Sequence, residues 1–245
     1  MESQSLYQDV PPAAPAEKSS VVEDFVDIFY APSQVYDRRR DGRAGLAMLL
    51  LCALSAAVFF ATRGVLEPVY DATFEQGMRE AMRQNPNMPA GAVEAGSKFA
   101  MFGMMAMAIV GPAVMSFFAG LILFVVARLV DVRPTLTQSV AIATFAQIPR
   151  FTLSTLVSAA QMLALNPEPA PTAYGIALSP ARFLAGDTSM RMVALAMRFE
   201  LFTLWATILI GIGVAVVCRV EKHKGFMVAG LVWFVASLMA VAFQR

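Results

Sequence analysis

Arg150 is the residue of this chain whose type and place could do chemistry, because it follows Pro149 inside a long apolar run. A guanidinium at that depth is costly unless it is paired, reaches an interface or lines a wet cavity. The proline frees backbone carbonyl groups nearby, which can accept from it. Glu200, at the entrance of a later apolar run, is the most credible acidic partner. Arg150, Glu200 and Pro149 therefore form a candidate intramembrane polar site, read first as a structural pair and otherwise as a contact for a solute or lipid headgroup or as a gating element. Their depths differ. Arg150 stands about 21 Å along its helix at 1.5 Å per residue, whereas Glu200 is expected near the outer surface, so the arginine must reach outward.

Other chemistry is sparse. His223 stands in a short basic turn with no carboxylate placed against it and reads as a solvated turn residue. Cys52 and Cys218 each lie inside an apolar run without CxxC spacing, so they read as small buried hydrophobes, not as a disulfide or thiolate site. The methionines of MFGMMAMAIVGPAVM could line a soft-metal path, but without His or Cys alongside they read as apolar filler. HExxH, a Gly-rich phosphate loop and GxSxG are all missing. No catalytic residue, cofactor or metal ligand is assigned, and the chain is read as non-enzymatic.

The elements that must position these residues follow from composition. Apolar residues make up 58% of the chain and charged residues 15%, with a mean hydropathy of +0.60, which is the profile of an integral membrane protein. The balance of 19 Lys and Arg against 18 Asp and Glu gives no field to gather nucleic acid. Runs long enough to cross about 30 Å of hydrocarbon occur at about 44–66, 99–127, 136–163, 201–218 and 225–243. Alternation is absent, so the spans read as helices. The short connections carry Arg38, Arg39, Arg40, Arg43, Arg128, Arg133, Arg219, Lys222 and Lys224 as topology anchors. The long connections, 67–98 and 164–200, are richer in acids. Positive-inside bias then sets the N-terminus in the cytoplasm and, after five crossings, the C-terminus outside.

Residues 1–20, with PPAAPAE, read as a disordered tail and not as a cleaved signal peptide. Residues 21–43 form a cytoplasmic juxtamembrane segment, and 44–245 the five-helix domain. In the former, Val21, Val22, Phe25, Ile28 and Phe29 recur at helical spacing while Glu23, Asp24 and Asp27 take the other face. That acidic face points to protein rather than to anionic lipid. Phe25, Ile28, Phe29, Tyr30 and Pro32 are the candidate partner-binding face, set beside the blander reading of a lead-in packed under the bundle. Pro32 should turn the chain at Ala31 before it restarts through Ser33. In the outer connections, Pro68 is a plausible helix start, Phe74, Met78 and Met82 could form one stripe, and NPNMPAG is a breaker. Ser179, Pro180 and Asp187 are expected starts of two short helices. Ser116 with Gly120 has small-xxx-small spacing, read as packing with self-association the minority outcome.

The stretch DIFYAPSQVYDRRR resembles the phenylalanine-proline entry to the first span of the Yip domain family, the Ypt/Rab-interacting membrane proteins with prokaryotic relatives. LILFVVARLVDVRPTLTQSVAIATFAQIPR is similar to that family's second span, tight turn and proline-bearing third span. LSPARFL and RFELFTLWATILIGIGVAV resemble the acidic-residue, tryptophan and glycine pattern of its fourth. The resemblance covers most of residues 21–243 and implies an all-α polytopic bundle of five membrane helices with the orientation that the charges give. Eukaryotic members are linked to vesicle traffic, Rab GTPases and membrane shaping. The GTPase role is not carried over, because the Ala-, Arg- and Met-rich character suggests a bacterial inner-membrane chain and the cytosolic helix is acidic. Two classes of function remain. One is a membrane scaffold or partner-binding protein, in contact with the bilayer and with a protein partner of unknown identity, a membrane complex among the candidates. The other is a transporter, or an accessory subunit of a transport complex, with a solute or lipid path near Arg150.

Overall fold

The computed structural model describes residues 20–85, 90–186 and 188–242, and every regular element among them is helical. The tail expected over 1–20 lies outside the described residues except for Ser20, and so does the helix start expected at Asp187. In chain order the helices are α1 (Val21–Asp27), α2 (Pro32–Arg38), α3 (Gly45–Gln84), α4 (Ala90–Arg128), α5 (Leu136–Ala146), α6 (Ile148–Leu165), α7 (Ala173–Ile176), α8 (Met190–Met197), α9 (Leu201–Val217) and α10 (Lys222–Ala242). A 3₁₀ turn, Pro180–Phe183, precedes α8. Four spans are long and apolar enough to cross a membrane, namely α3, α4, α5 with α6, and α10; α9 joined to α8 across a 50° bend makes a fifth. Phe102, Phe118, Leu163 and Phe234 stand exposed on their outer faces, as side chains solvated by lipid do. The chain is a multi-pass membrane protein.

Local chemistry starts and stops these helices. Ser20 opens α1 with a capping box: its hydroxyl accepts from the Glu23 N–H at 3.2 Å, and the Glu23 carboxylate accepts from the Ser20 N–H at 2.9 Å. Thr135 and Gln138 repeat this at α5. After α4 and α9, Asp131 (φ 58°) and Arg219 (φ 53°) turn left-handed. The N–H groups of Val132 and Val220 then reach back to the carbonyls of Ala127 and Ala215, at 3.0 and 3.1 Å, an ending usually given to glycine. Between α5 and α6 the helix breaks at Gln147, and Pro149 sits in the first turn of α6, where its missing N–H removes no bond.

The first two spans extend beyond their expected limits. α3 runs through Pro68 to Gln84 as one helix of 40 residues, so Pro68 does not start a helix, and α4 has 39 residues. Each is about 60 Å long at 1.5 Å per residue. Packing on both sides of Pro68 keeps α3 continuous: Leu66 and Val69 are buried with Ala159, Met162 and Ile176, and a turn later the Thr73 hydroxyl accepts from the Ala173 N–H at 2.8 Å. Beyond it, Arg79 pairs with Glu75 at 3.3 Å and Arg83 with Glu80 at 3.6 Å, as on a solvated helix.

The main core lies at one end of the bundle, where α1 and α2 tuck against α5 and α9. Ile28, Val35 and Tyr36 are fully enclosed there with Ile142, Phe145 and Val214. Tyr36 meets Phe145 edge-on at 6.4 Å and fits against α9 because residue 213 is glycine; a Cβ there would come within 3.0 Å of the ring. The three basic clusters gather at this end. Gln138 Nε2 donates to the Arg40 carbonyl at 2.9 Å, and Tyr36 lies about one turn from the end of α9 that leads into RVEKHK. The turn at Gly42 (φ 77°) passes directly over α5, where a Cβ would lie 2.8 Å from the Gln138 nitrogen. Gly42→Ala is expected to lower stability by about 1–3 kcal/mol through strained φ and this contact, read as a lower thermal midpoint in detergent. Gly45→Ala, with nothing within 4 Å of the added Cβ, should leave the midpoint unchanged.

Candidate functional site

Asp24 on α1 has no solvent exposure. One of its carboxylate oxygens accepts from Arg38 Nη2 at 2.7 Å and Nε at 3.0 Å, and the other from Arg39 Nε at 2.6 Å. Arg38 Nη2 also reaches Asp27 at 2.5 Å, and the Tyr30 hydroxyl donates to Asp27. Together the Tyr30 hydroxyl and the Arg38 guanidinium hold the Asp27 carboxyl below its ordinary value. The acidic face of α1 is thus answered by the chain's own arginines. Most of its apolar face is taken up as well, Val22 staying exposed: Ile28 is buried, Phe25 meets Phe145 edge-on at 6.5 Å and Phe29 meets Trp205 at 5.7 Å. Phe25, Ile28 and Phe29 are therefore turned into the bundle instead of toward a partner, since an amphipathic helix buries its stripe on the nearest apolar surface. Pro32 begins α2, and Tyr30 is the member of that set left outside, 71% exposed.

Among the basic residues, Arg40 pairs with Asp37 at 2.6 Å and Arg43 with Asp41 at 3.1 Å. Arg128 lies over the Phe124 ring, 3.5 Å from its centroid. Arg133 and Arg219 occupy the two short turns, and Lys222 and Lys224 stand at the start of α10. His223, expected to stand away from any carboxylate, has Nδ1 3.0 Å from Glu221; the two are close because they are neighbours in one turn. Ser116 is fully buried and Gly120 faces α5, where a Cβ would lie 2.6 Å from Val140 Cα, so this small-residue stripe packs within the chain.

Arg150 and Glu200 share the wall of a cavity of about 470 Å³, bounded by α3, α6, α7 and the break between α8 and α9. They are not an ion pair. Among the described residues no carboxylate lies within 4.0 Å of the Arg150 guanidinium, and it makes no hydrogen bond. Glu200 instead caps α9: Oε1 accepts from the Phe202 N–H at 3.0 Å, and Oε2 from the N–H and hydroxyl of Thr203 at 2.7 and 2.8 Å. A carboxylate at a helix N-terminus satisfies orphan donors and the positive end of the dipole at once. Its attraction reaches Arg150 only through space. Arg198, which sequence reasoning missed, also lines this cavity and repels Arg150. Its Nε donates to Ser237 at 3.0 Å, its carbonyl accepts from Trp233 Nε1 at 3.0 Å, and the neighbouring Phe199 ring meets Trp233 at 5.1 Å. The break is thereby pinned to α10. A second cavity of about 330 Å³ between α3, α4 and α6 also has Arg150 in its wall, with Tyr70, Ser154 and Thr155 common to both. Two cations, several hydroxyls and one engaged acid suit the binding of an anion.

A family model described as the Yip1 domain matches residues 26–243. No curated protein and no solved structure matches the chain. The Asp24 site gives two tests, both read from Trp205 fluorescence, against which Phe29 packs, in a Trp233→Phe background. Asp24→Ala removes the enclosed carboxylate that Arg38 and Arg39 share and is expected to cost about 2–4 kcal/mol of unfolding free energy in detergent, less than a wholly buried pair because both arginines are partly solvated and Arg38 keeps Asp27. Asp27 has a folded value below its ordinary 3.8, so its contribution is present above that pH and is lost as pH falls through the lowered value. Docking of α1 should loosen in that acid window, and Asp27→Asn should flatten the dependence.

Proposed function

Since the chain belongs to the Yip1 domain family, we propose that it is a non-enzymatic membrane scaffold that binds a protein partner through the projecting part of the α3–α4 hairpin. Helix length carries this reading: two packed helices of about 60 Å cannot be contained in a hydrocarbon layer of about 30 Å. Roughly half of each then extends as an arm at the end remote from α1 and α2. The arm bears exposed Asp71, Glu75 and Arg79. A cleft of about 610 Å³ separates it from the 172–193 segment, with Arg79, Arg83, Arg182 and Arg191 against Glu80 in its wall, an excess of positive charge that suits an acidic segment of a partner. The α1–α2 element, with Asp24, Asp27, Phe25, Ile28 and Phe29 engaged inside the chain, belongs to the bundle and does not recruit.

The gathering of RRRDGR, RLVDVRP and RVEKHK at one end supports an orientation with that end in the cytoplasm and, with α8 and α9 counted as one crossing, the arm and the end of α10 outside. The Ala-, Arg- and Met-rich composition supports a bacterial inner membrane as its location. A second reading, a transporter or accessory subunit of a transport complex with a path at Arg150, is favoured by the two cavities that share this residue.

A photo-crosslinking residue at Glu75 or Arg79 in native membranes is expected to give a discrete heavier adduct, while one at Val22 or Tyr30 gives none. Adducts from Val22 or Tyr30 with none from the arm would refute the scaffold assignment. Flux of an anionic solute into proteoliposomes that Arg150→Gln abolishes would put the second reading in its place.

A further inference from the structure

Two guanidinium groups share one cavity, Arg150 from α6 and Arg198 from the α8–α9 break, and they repel each other. The carboxylate in that wall, Glu200, has both oxygens committed to Phe202 and Thr203. Arg198 places Nε on Ser237, which leaves its terminal nitrogens without a hydrogen bond among the described residues, and the Arg150 guanidinium makes none at all. Excess positive charge inside an apolar bundle is strongly unfavourable unless an anion answers it. Tyr70, Ser158 and Tyr174 add hydroxyl groups to the same wall, which suits the several acceptor oxygens of a phosphate.

A phosphate alone accounts for this pole but not for what adjoins it. Tyr70 is in the wall of both cavities that contain Arg150 and also of a cleft of about 800 Å³ between α3 and α4. Phe59 and Met104 join that cleft to the smaller cavity; Arg63, Glu67 and Asp71 make the cleft's wall partly charged, whereas Phe59, Met104, Met107, Ala108 and Phe151 make most of the smaller cavity apolar. Met107, in the wall of the smaller cavity, is exposed and stands below the projecting arm, so that cavity opens on the surface that the bilayer covers. A cationic chamber thus leads past Tyr70 into an apolar slot. Arg150 lies about 21 Å from the start of α5 at 1.5 Å per residue, within roughly 10 Å of the far edge of the hydrocarbon layer. A headgroup reaches such a depth by local thinning of the bilayer.

We propose that this connected space is a binding site for an anionic phospholipid, its phosphate held between Arg150 and Arg198 and an acyl chain laid in the smaller cavity between α3, α4 and α6. The proposal rests on the reading of Arg150 as a ligand contact and does not require that the lipid be moved, so it can hold where transport fails. The test uses the full chain in neutral detergent, titrated with phosphatidylglycerol, phosphatidylcholine or inorganic phosphate, with bound lipid read by native mass spectrometry and stability by thermal midpoint. Phosphatidylglycerol is expected to bind about tenfold tighter than phosphatidylcholine and to raise the midpoint, with the preference lost in Arg150→Gln and in Arg198→Gln and kept in Glu75→Gln on the arm. Arg150→Lys, which keeps the charge but not the planar fork, should retain part of it. Equal binding of the two lipids by the unaltered chain overturns the proposal whether or not the variants fold. Equal stabilisation by inorganic phosphate overturns it in favour of a soluble anion. Flux in proteoliposomes addresses the transport reading separately.

Discussion

A carboxylate that water does not reach closes one end of this bundle. Asp24 is enclosed completely, and Arg38 and Arg39 offset its desolvation by arriving on different oxygens at hydrogen-bonding distance. Those arginines can arrive only if α2 packs back along α1, and that return seats Tyr36 against Phe145 and Gly213. The chain then has to turn within a few residues, which Gly42 allows by its positive φ and its close passage over α5. The start of α3 and its approach to α5 are set by this sequence of contacts. Buried pairs of this kind add little net stability compared with an apolar substitute. Their effect is on register: rotating or sliding α1 by one turn would part the enclosed Asp24 from Arg38 and Arg39 and would pull Phe25 and Phe29 away from Phe145 and Trp205.

How far the fold could be read in advance depended on whether the governing interaction was local. The stripe of α1 and the restart at Pro32 rest on residues within one or two turns of each other, and the sequence shows them. The docking partner of an amphipathic face is not local. Periodicity identifies Phe25, Ile28 and Phe29 as one face but is silent on whether Phe145 of the same chain or a different protein covers it. Pro68 gives the converse case: its local preference is for a helix start, and burial of Leu66 and Val69 beside α6 and α7 outweighs the lost hydrogen bond.

The Arg150–Glu200 relation shows why opposite charges in apolar runs do not have to meet. A carboxylate has few acceptor sites, and the nearest donors compete for them first. Glu200 stands at the head of α9 with the N–H groups of Phe202 and Thr203 and the Thr203 hydroxyl within reach, partners that require no side chain to cross the bundle. The signal was present as an acid three residues ahead of a threonine at a helix entrance. Read as a cap, it would have freed Arg150 from its assigned partner and drawn attention to Arg198 two residues upstream.

That freedom bears on why the space between α6 and the α8–α9 break stays open. Side chains in a protein interior close voids wherever dispersion allows, and here closure would push Arg150 toward Arg198. The repulsion between like charges grows as their separation falls and as water is squeezed from between them, so collapse becomes steeply unfavourable before the walls touch. Arg198 cannot retreat, because Ser237 and Trp233 hold the α8–α9 break against α10. Arg150 cannot leave either, because its backbone lies in the first turn of α6 after the break at Gln147. The two cations therefore hold the space open between them, and a group that supplies negative charge there removes the repulsion without moving either helix.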